Sequence, residues 1–140
     1  MGKDYEFLEH TADIAVKVKG DDLETLFKNA ALAMFDIIAE CVSNKGSSKK
    51  EKFLVKQEAA DLEELFISWL NELLSLSAIK RKIFCEVFFK NLNEHGLKAM
   101  VGGKDMINYK IKTEIKAATY HELEIKKVGP SWQAKVVFDV

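Results

Sequence analysis

The chain has 140 residues, of which 48% are hydrophobic and 31% are charged, and its 21 basic and 22 acidic residues give a formal net charge of -1. This composition predicts a single globular domain over residues 1–140 and excludes disordered and fibrous proteins. The near-zero net charge excludes a general cationic field for holding nucleic acid, so any contact with RNA is expected to be local or indirect.

The sequence favours a reducing, cytoplasmic setting. Its first residues lack the apolar stretch of a signal peptide, and no apolar run approaches the length of a membrane span. The two cysteines, Cys41 and Cys85, lack the CxxC spacing of a zinc ribbon or a redox pair. Both fall at apolar positions of predicted elements, so we expect two small buried side chains.

The first third of the chain predicts two strands and then a buried helix. Residues 5–19 form two extended pieces, and Gly20 ends the second. Asp21 and Glu24 have the spacing of a helix-capping box. From Ala30 onward the helix is apolar on nearly all faces, so we expect it to be buried on more than one side. Its apolar positions at helical spacing are Leu23, Leu26, Phe27, Ala30, Met34, Phe35 and Ile38.

A second helix follows a polar segment at 43–51 and a short predicted strand at 53–55. Asp61 and Glu64 repeat the capping spacing. The apolar stripe behind them is also broad, which predicts that the two helices share one core. It comprises Leu62, Leu65, Phe66, Ile67, Trp69, Leu70, Leu73, Leu74 and Leu76.

After residue 79 the apolar period changes to two, which predicts a run of strands. Residues 83–89 and 97–101 form a hairpin through a turn at 93–96, and the pair Gly102 and Gly103 is expected to form another turn. Further strands are predicted at 109–117, 123–128 and 132–140.

The order of these elements predicts an α+β fold with largely antiparallel pairing, because strands and helices alternate first and strands alone follow. Both helices are apolar on several faces. We therefore expect two largely antiparallel sheets to enclose the two helices in β/α/β layers.

The sequence does not predict an enzyme. The motifs GxxxxGK[ST], GxGxxG, HExxH and GxSxG do not occur in it. The carboxylates discussed next are accompanied by neither an obvious general base with a partner nor a substrate-pocket motif. Catalysis through a metal-bound water at those carboxylates is the weaker alternative.

Two carboxylates and the end of the last strand point to a cation site. Asp139 comes one residue before Val140, and an α-carboxylate on Val140 would lie within a few ångströms of the Asp139 side chain. Such groups repel unless they share a cation, and Asp13 would add a third carboxylate. Oxygen ligands of this kind suit calcium or magnesium rather than zinc. The alternatives are a turn in which Asp13 bonds its own backbone and a solvent-exposed Asp139.

Polar and aromatic residues also close the strand predicted at 109–117. They form the segment 116–121, KAATYH, which contains Lys116, Tyr120 and His121. The alternative to a functional role is a hydrogen-bonded loop pair formed by the tyrosine and the histidine.

Four segments of the sequence resemble the archease family. They are FLEHTADI at 7–14, AALAMFD at 30–36, KAATYH at 116–121 and VVFDV at 136–140. The resemblance therefore extends from the first strand to the last residue of the chain. It implies a fold in which two sheets enclose helices, as in the expectation from helix burial.

The resemblance also implies a function. Archeases are small non-catalytic partners of the RNA-splicing ligase that joins a 2′,3′-cyclic phosphate or 3′-phosphate end to a 5′-hydroxyl in tRNA splicing or RNA repair. They promote guanylylation of the ligase and repeated turnover, so their contact with tRNA or broken RNA is indirect and involves no membrane.

The family's site residues carry over to matching positions of this sequence. The resemblance assigns the metal site to Asp13, Asp139 and a main-chain or terminal oxygen of Val140, and implies calcium as the cation, with magnesium or manganese as alternatives. It links Lys116 to ligase activation. His10 and His121 lie in the same motifs and are further activation candidates. The main alternative function is a chaperone-like protein-binding module.

Overall fold

The computed structural model describes residues 5–9, 13–42 and 49–140. The described chain forms nine strands, two α-helices and one turn of 3-10 helix at Met106–Asn108. Strands and helices in chain order are β1 Tyr5–Glu9, β2 Asp13–Gly20, α1 Leu23–Ile38, β3 Ala39–Cys41, β4 Glu51–Glu58, α2 Leu62–Lys80, β5 Lys82–Asn93, β6 Gly96–Asp105, β7 Tyr109–Ile111, β8 Ala117–Val128 and β9 Ser131–Asp139.

The strands are paired antiparallel in three sheets. The main sheet has the order β1-β2-β9-β8, and the second sheet has the order β4-β6-β5. A short ribbon is formed by β3 and β7. The predicted hairpin turn at 93–96 is present, since Asn93 pairs with Gly96. A second hairpin joins β8 to β9, where Val128 pairs with Ser131.

The helices lie between the main sheet and the second sheet. α1 packs on β2 and β9 on one side and on β5 on the other, and α2 packs on β8 and on β4 and β5. The indole N–H of Trp69 in α2 donates to the carbonyl oxygen of Phe27 in α1 at 3.0 Å. Both aromatic side chains are fully buried. The α+β fold with two antiparallel sheets enclosing two helices is therefore confirmed.

Aspartates cap both helices, although one cap is shifted from its prediction. Asp61 accepts a hydrogen bond from the Glu64 N–H at 2.8 Å, as predicted. The N-cap of α1 is Asp22, which accepts from the Thr25 N–H at 2.7 Å, so the predicted capping role of Asp21 is wrong. Asp21 and Asp22 both precede the apolar stripe of α1, and α1 begins one residue later than a cap at Asp21 requires.

The strand predicted at 109–117 is broken in the structure. β7 ends at Ile111, and the N–H groups of Lys112 and Thr113 donate to the carbonyl oxygen of Ile38 at 2.7 and 3.3 Å. The chain then leaves the ribbon and joins the main sheet at Ala117. The apolar alternation continues through this break because a period of two does not specify the sheet that a strand joins.

The predicted burial of both cysteines is wrong, since Cys41 and Cys85 are exposed. The register of β5 against β6 shifts between Phe84 and Glu86, so Cys85 is the additional residue of a β-bulge. The bulge turns its side chain out of the apolar alternation. Cys41 lies in β3, beyond the end of the buried helix. The expected turn at Gly102 and Gly103 is also wrong, because both glycines are buried within β6.

Thiol labelling with a chromogenic disulfide reagent should detect both cysteines in the folded protein. Partial burial raises the pKa of the Cys85 thiol, so less thiolate is present at neutral pH than in free cysteine. In a Cys41→Ala variant the labelling rate of Cys85 should therefore increase with pH through a midpoint above that of free cysteine. Labelling that occurs only after denaturation would contradict the exposed positions.

Candidate functional site

Three segments that are distant in sequence meet at one end of the main sheet. Asp139, the last residue of β9, pairs with Asp13 at the start of β2 and with Ala117 at the start of β8. The backbone N–H of Lys116 donates to the Asp139 carbonyl oxygen at 2.8 Å. Asp139 therefore lies at the centre of this end of the sheet, between two strand beginnings.

Asp13 and Asp139 are directly opposite each other, so their side chains leave the same face of the sheet. Directly opposite Cβ atoms in an antiparallel pair are about 4.5–5.5 Å apart. The next pair on this face, Ala15 and Val137, is almost completely buried, whereas Asp13 is half-buried and Asp139 is exposed. Two carboxylates thus leave one face at the end of the sheet, one of them half-buried and the other open to solvent.

The chemistry of this pair fits a hard cation, which would relieve the repulsion between the two carboxylates. Val140 follows Asp139 directly and is half-buried, so its main-chain oxygen is near the pair in sequence. Across residues 5–9, 13–42 and 49–140, no three side chains of His, Cys, Asp or Glu are grouped as metal ligands. A cation on Asp13 and Asp139 would therefore need main-chain oxygens, water or groups from a partner as its other ligands.

Lys116 adds a positive charge at the same end of the sheet. Its side chain is exposed, and its backbone is bonded to Asp139. A shallow depression between the second half of α2 and residues 111–117 is lined by Asn71, Ile115, Lys116 and Ala117. The amine of Lys116 is therefore exposed at the end of the sheet that carries the acidic pair, beside a depression on the α2 side.

Asn71 in α2 positions the beginning of β8, and the sequence interpretation missed it. Its side-chain oxygen accepts from the Ala118 N–H at 2.8 Å, and its amide nitrogen donates to the Ala118 carbonyl oxygen at 3.1 Å. β8 is an edge strand of the main sheet, so Asn71 bonds backbone groups that a further strand would otherwise bond. The signal in the sequence is a lone amide within the apolar stripe of α2.

The second half of the 116–121 segment lies away from the acidic pair. His121 is exposed, and its Nε2 atom lies 3.1 Å from Oε2 of Glu122. It lies in an irregular stretch of β8, because the register against β9 shifts between Thr119 and Glu124. Partial burial and the carboxylates of α2's first turn raise the pKa of the neighbouring Tyr120. The structure thus groups Asp13, Asp139 and Lys116 but leaves His121 outside that group. His10 lies outside the described residues.

A comparison with protein families decides what kind of protein this is. The model of the Archease protein family (MTH1598/TM1083) matches residues 5–140. The chain belongs to the archease family. A curated relative, protein archease of Methanosarcina barkeri, is 40% identical over 146 aligned positions, which cover 100% of this chain and 98% of the relative.

Solved structures agree with this family assignment. The solution structure of Methanobacterium thermoautotrophicum protein 1598 matches with a TM-score of 0.73 and 28% identity, covering 99% of this chain and 100% of the other. A crystal structure from Thermotoga maritima, described as an archease and possible chaperone, matches with a TM-score of 0.65 and 26% identity, covering 95% and 94%. The archease fold predicted from the sequence motifs is thereby confirmed. In the part of the chain that the structure describes, no helix is long and apolar enough to cross a membrane.

Proposed function

We propose that this archease family member activates an RNA-splicing ligase by promoting guanylylation of the ligase and repeated turnover, in tRNA splicing or RNA repair. The observation that carries the proposal is the meeting of Asp13, Lys116 and Asp139 at one end of the main sheet. Three of the four segments that resemble the family contribute these residues. The protein itself would catalyse no reaction.

The acidic pair would hold a divalent cation, and calcium is the cation proposed, with magnesium or manganese as alternatives. Asp13 and Asp139 would bind it through carboxylate oxygens, with a main-chain oxygen of Val140 as a further ligand. When bound, such a cation neutralises negative charge on a triphosphate. The pair lies at the end of the sheet and Asp139 is exposed, so this end of the protein can approach a cleft in a partner.

Lys116 would contribute by charge and position. Its backbone bond to Asp139 holds the two residues in a fixed relation, and its exposed amine would contact phosphate oxygens of a nucleotide bound to the ligase. His10 and His121 remain activation candidates on the family resemblance alone. Tyr120, which is 57% exposed, would extend the contact surface on the His121 side.

The arrangement supports an activator better than an enzyme. The described residues at this end of the sheet offer two carboxylates and one amine. They do not include a nucleophile hydrogen-bonded to a base, which is the geometry that covalent catalysis requires. The site is also open rather than enclosed, so water is not excluded from it.

The test is a ligation assay in which RNA ends are in large excess over the cognate ligase. With this protein present, we expect many joined products per ligase molecule and a rapid return of the guanylylated ligase, measured by mass spectrometry. Without it, product should stop near one per ligase molecule. Equal turnover in the two reactions would refute the proposal.

The alternative function is a chaperone-like protein-binding module, which the description of the Thermotoga maritima neighbour favours. A general chaperone would suppress aggregation of an unrelated, heat-denatured protein and would not need Asp13 or Asp139. We expect no suppression at equimolar concentration. Suppression that is unchanged in an Asp139→Ala variant would favour the alternative.

A further inference from the structure

An exposed apolar row crosses the outer face of the second sheet, on the side away from the helices. Met100 in the central strand is the direct cross-strand partner of Leu54 in β4 and of Phe88 in β5. Cross-strand partners share a face, so the three side chains form a line, the Leu54–Met100–Phe88 row. Leu54 is 49% exposed and Phe88 is 59% exposed. Large apolar side chains arranged in this way mark an interaction surface.

Lysines border the row on both sides along the strands. On one side, Lys56 and Lys98 are direct cross-strand partners. Two like charges placed opposite each other on one face destabilise a sheet. An anionic group of a partner would relieve that repulsion.

On the other side of the row, three lysines surround a single carboxylate. Glu86 accepts a hydrogen bond from Lys50, and Lys50, Lys52 and Lys104 together hold the pKa of Glu86 below its usual range. Its carboxylate passes over Gly102, where an added Cβ would lie 2.9 Å from Oε2. One carboxylate among three amines leaves this border positively charged as well.

The dimensions of the surface match those of an α-helix. Three strands spaced about 4.8 Å apart give a row about 10 Å long, which is the length of two helical turns. Border residues two positions away on each strand lie about 7 Å on either side, so the two lysine borders are about 14 Å apart. A helix with its side chains is about 10–12 Å wide. A helix lying along the row would therefore fit between the two lysine borders, and the residues on either side of its apolar stripe would face the lysines.

The pattern fits a helix better than a nucleic acid. A single RNA strand presents phosphates on one side and bases on the other, and sheets that bind it stack successive bases on several aromatic side chains. Here the positive charge lies on both sides of the row, and Phe88 is the row's one aromatic residue. An amphipathic helix with carboxylates on both flanks of its apolar stripe satisfies both features.

We propose that the outer face of the second sheet docks an acidic amphipathic helix of a partner protein, with the apolar stripe of that helix on the Leu54–Met100–Phe88 row and its carboxylates against Lys52, Lys56 and Lys98. The helix layer separates this face from the main sheet that carries Asp13 and Asp139. The proposal therefore does not depend on the proposed function.

The probe is a synthetic fluorescent peptide of about 18 residues with a leucine stripe bordered by glutamates. We expect it to bind, measured by fluorescence anisotropy, and to bind more weakly as salt is raised. A second peptide with lysine at every glutamate should not bind. The double variants Lys56→Glu/Lys98→Glu and Leu54→Ser/Phe88→Ser should each weaken binding at least about tenfold.

A matched control places the same charge change on the main sheet. The variant Lys17→Glu/Lys126→Glu alters two exposed lysines of the main sheet, and its affinity for the acidic peptide should stay within about twofold of wild type. Circular dichroism would verify that all variants are folded.

Four results would overturn the proposal. One is no binding of the acidic peptide, and another is an equal loss of affinity in the main-sheet control. The third is binding of a single-stranded RNA oligomer through Lys56 and Lys98 in place of the peptide, which would make this face a nucleic-acid surface. The fourth is dimerisation that the Leu54→Ser/Phe88→Ser variant abolishes. A second copy of the chain, and not a partner's helix, would then occupy this face.

Discussion

Asp139→Ala is expected to abolish the stimulation of ligase turnover while the protein stays folded. The side chain of Asp139 is exposed, and the backbone carbonyl that bonds Lys116 remains in the variant. Removing one of two facing carboxylates also removes their repulsion. The unfolding midpoint should therefore stay within about 2 °C of wild type or rise slightly.

The functional effect should be large because half of the acidic pair is lost. A cation held by Asp13 and Asp139 has two carboxylate ligands, and one carboxylate binds a hard cation weakly. Products per ligase should fall to the level measured without the protein. Calcium affinity, measured by isothermal titration calorimetry, should fall at least about tenfold in Asp139→Ala and also in Asp13→Ala.

The matched control is Glu124→Ala, which removes an exposed carboxylate from the same sheet. Glu124 pairs with Lys135, which is four residues before Asp139 in β9, so it lies away from the acidic pair. It should stimulate turnover like wild type. Normal stimulation by Asp139→Ala would show that Asp139 is not part of the activating site. Lost stimulation with normal calcium affinity would show that Asp139 acts in activation without binding the metal.

The layered fold was predictable because a helix that packs between two sheets needs apolar residues on more than one face. A helix on one sheet needs one apolar face, whereas α1 carries buried side chains on nearly opposite sides of its axis, such as Ala31 and Ala33, which are about 160° apart. Their apolar character is visible in the sequence. The antiparallel pairing followed from a series of strands without intervening helices, and the two-residue hairpin turn before β9 is formed by Gly129 and Pro130.

The details that escaped prediction depend on contacts between distant segments. A bulge at Cys85 arises from the register of β5 on β6, which a single strand's sequence does not contain. The role of Asn71 arises from its position opposite the Ala118 backbone, 47 residues away. The acidic pair was predictable because charge and family resemblance both selected Asp13 and Asp139, but their direct pairing required the sheet.

Asn71→Ala is expected to destabilise the protein by about 2–4 kcal/mol. The variant leaves the N–H and the carbonyl oxygen of Ala118 without the two bonds that Asn71 provides, and Ala118 is 4% exposed. A buried polar group without a partner costs about 1–3 kcal/mol. Here there are two such groups, and because their bonds are part-buried the expected cost is in the lower part of the summed range. That is a large part of a typical total of 5–15 kcal/mol. Urea unfolding monitored by tryptophan fluorescence would measure it.

The same substitution should also impair activation, because Ala118 is two residues from Lys116 and fixes the start of β8 beside Asp139. We expect fewer products per ligase at temperatures where the variant is still folded.

Ser75→Ala changes an exposed residue on the next turn of α2 and should alter neither stability nor activation. Asn71→Asp keeps the acceptor but loses the donor when ionised, so its stability should recover partly as the pH is lowered and the carboxyl group becomes protonated. If Asn71→Ala unfolds at the wild-type urea concentration, the two hydrogen bonds contribute nothing to stability and the prediction is wrong.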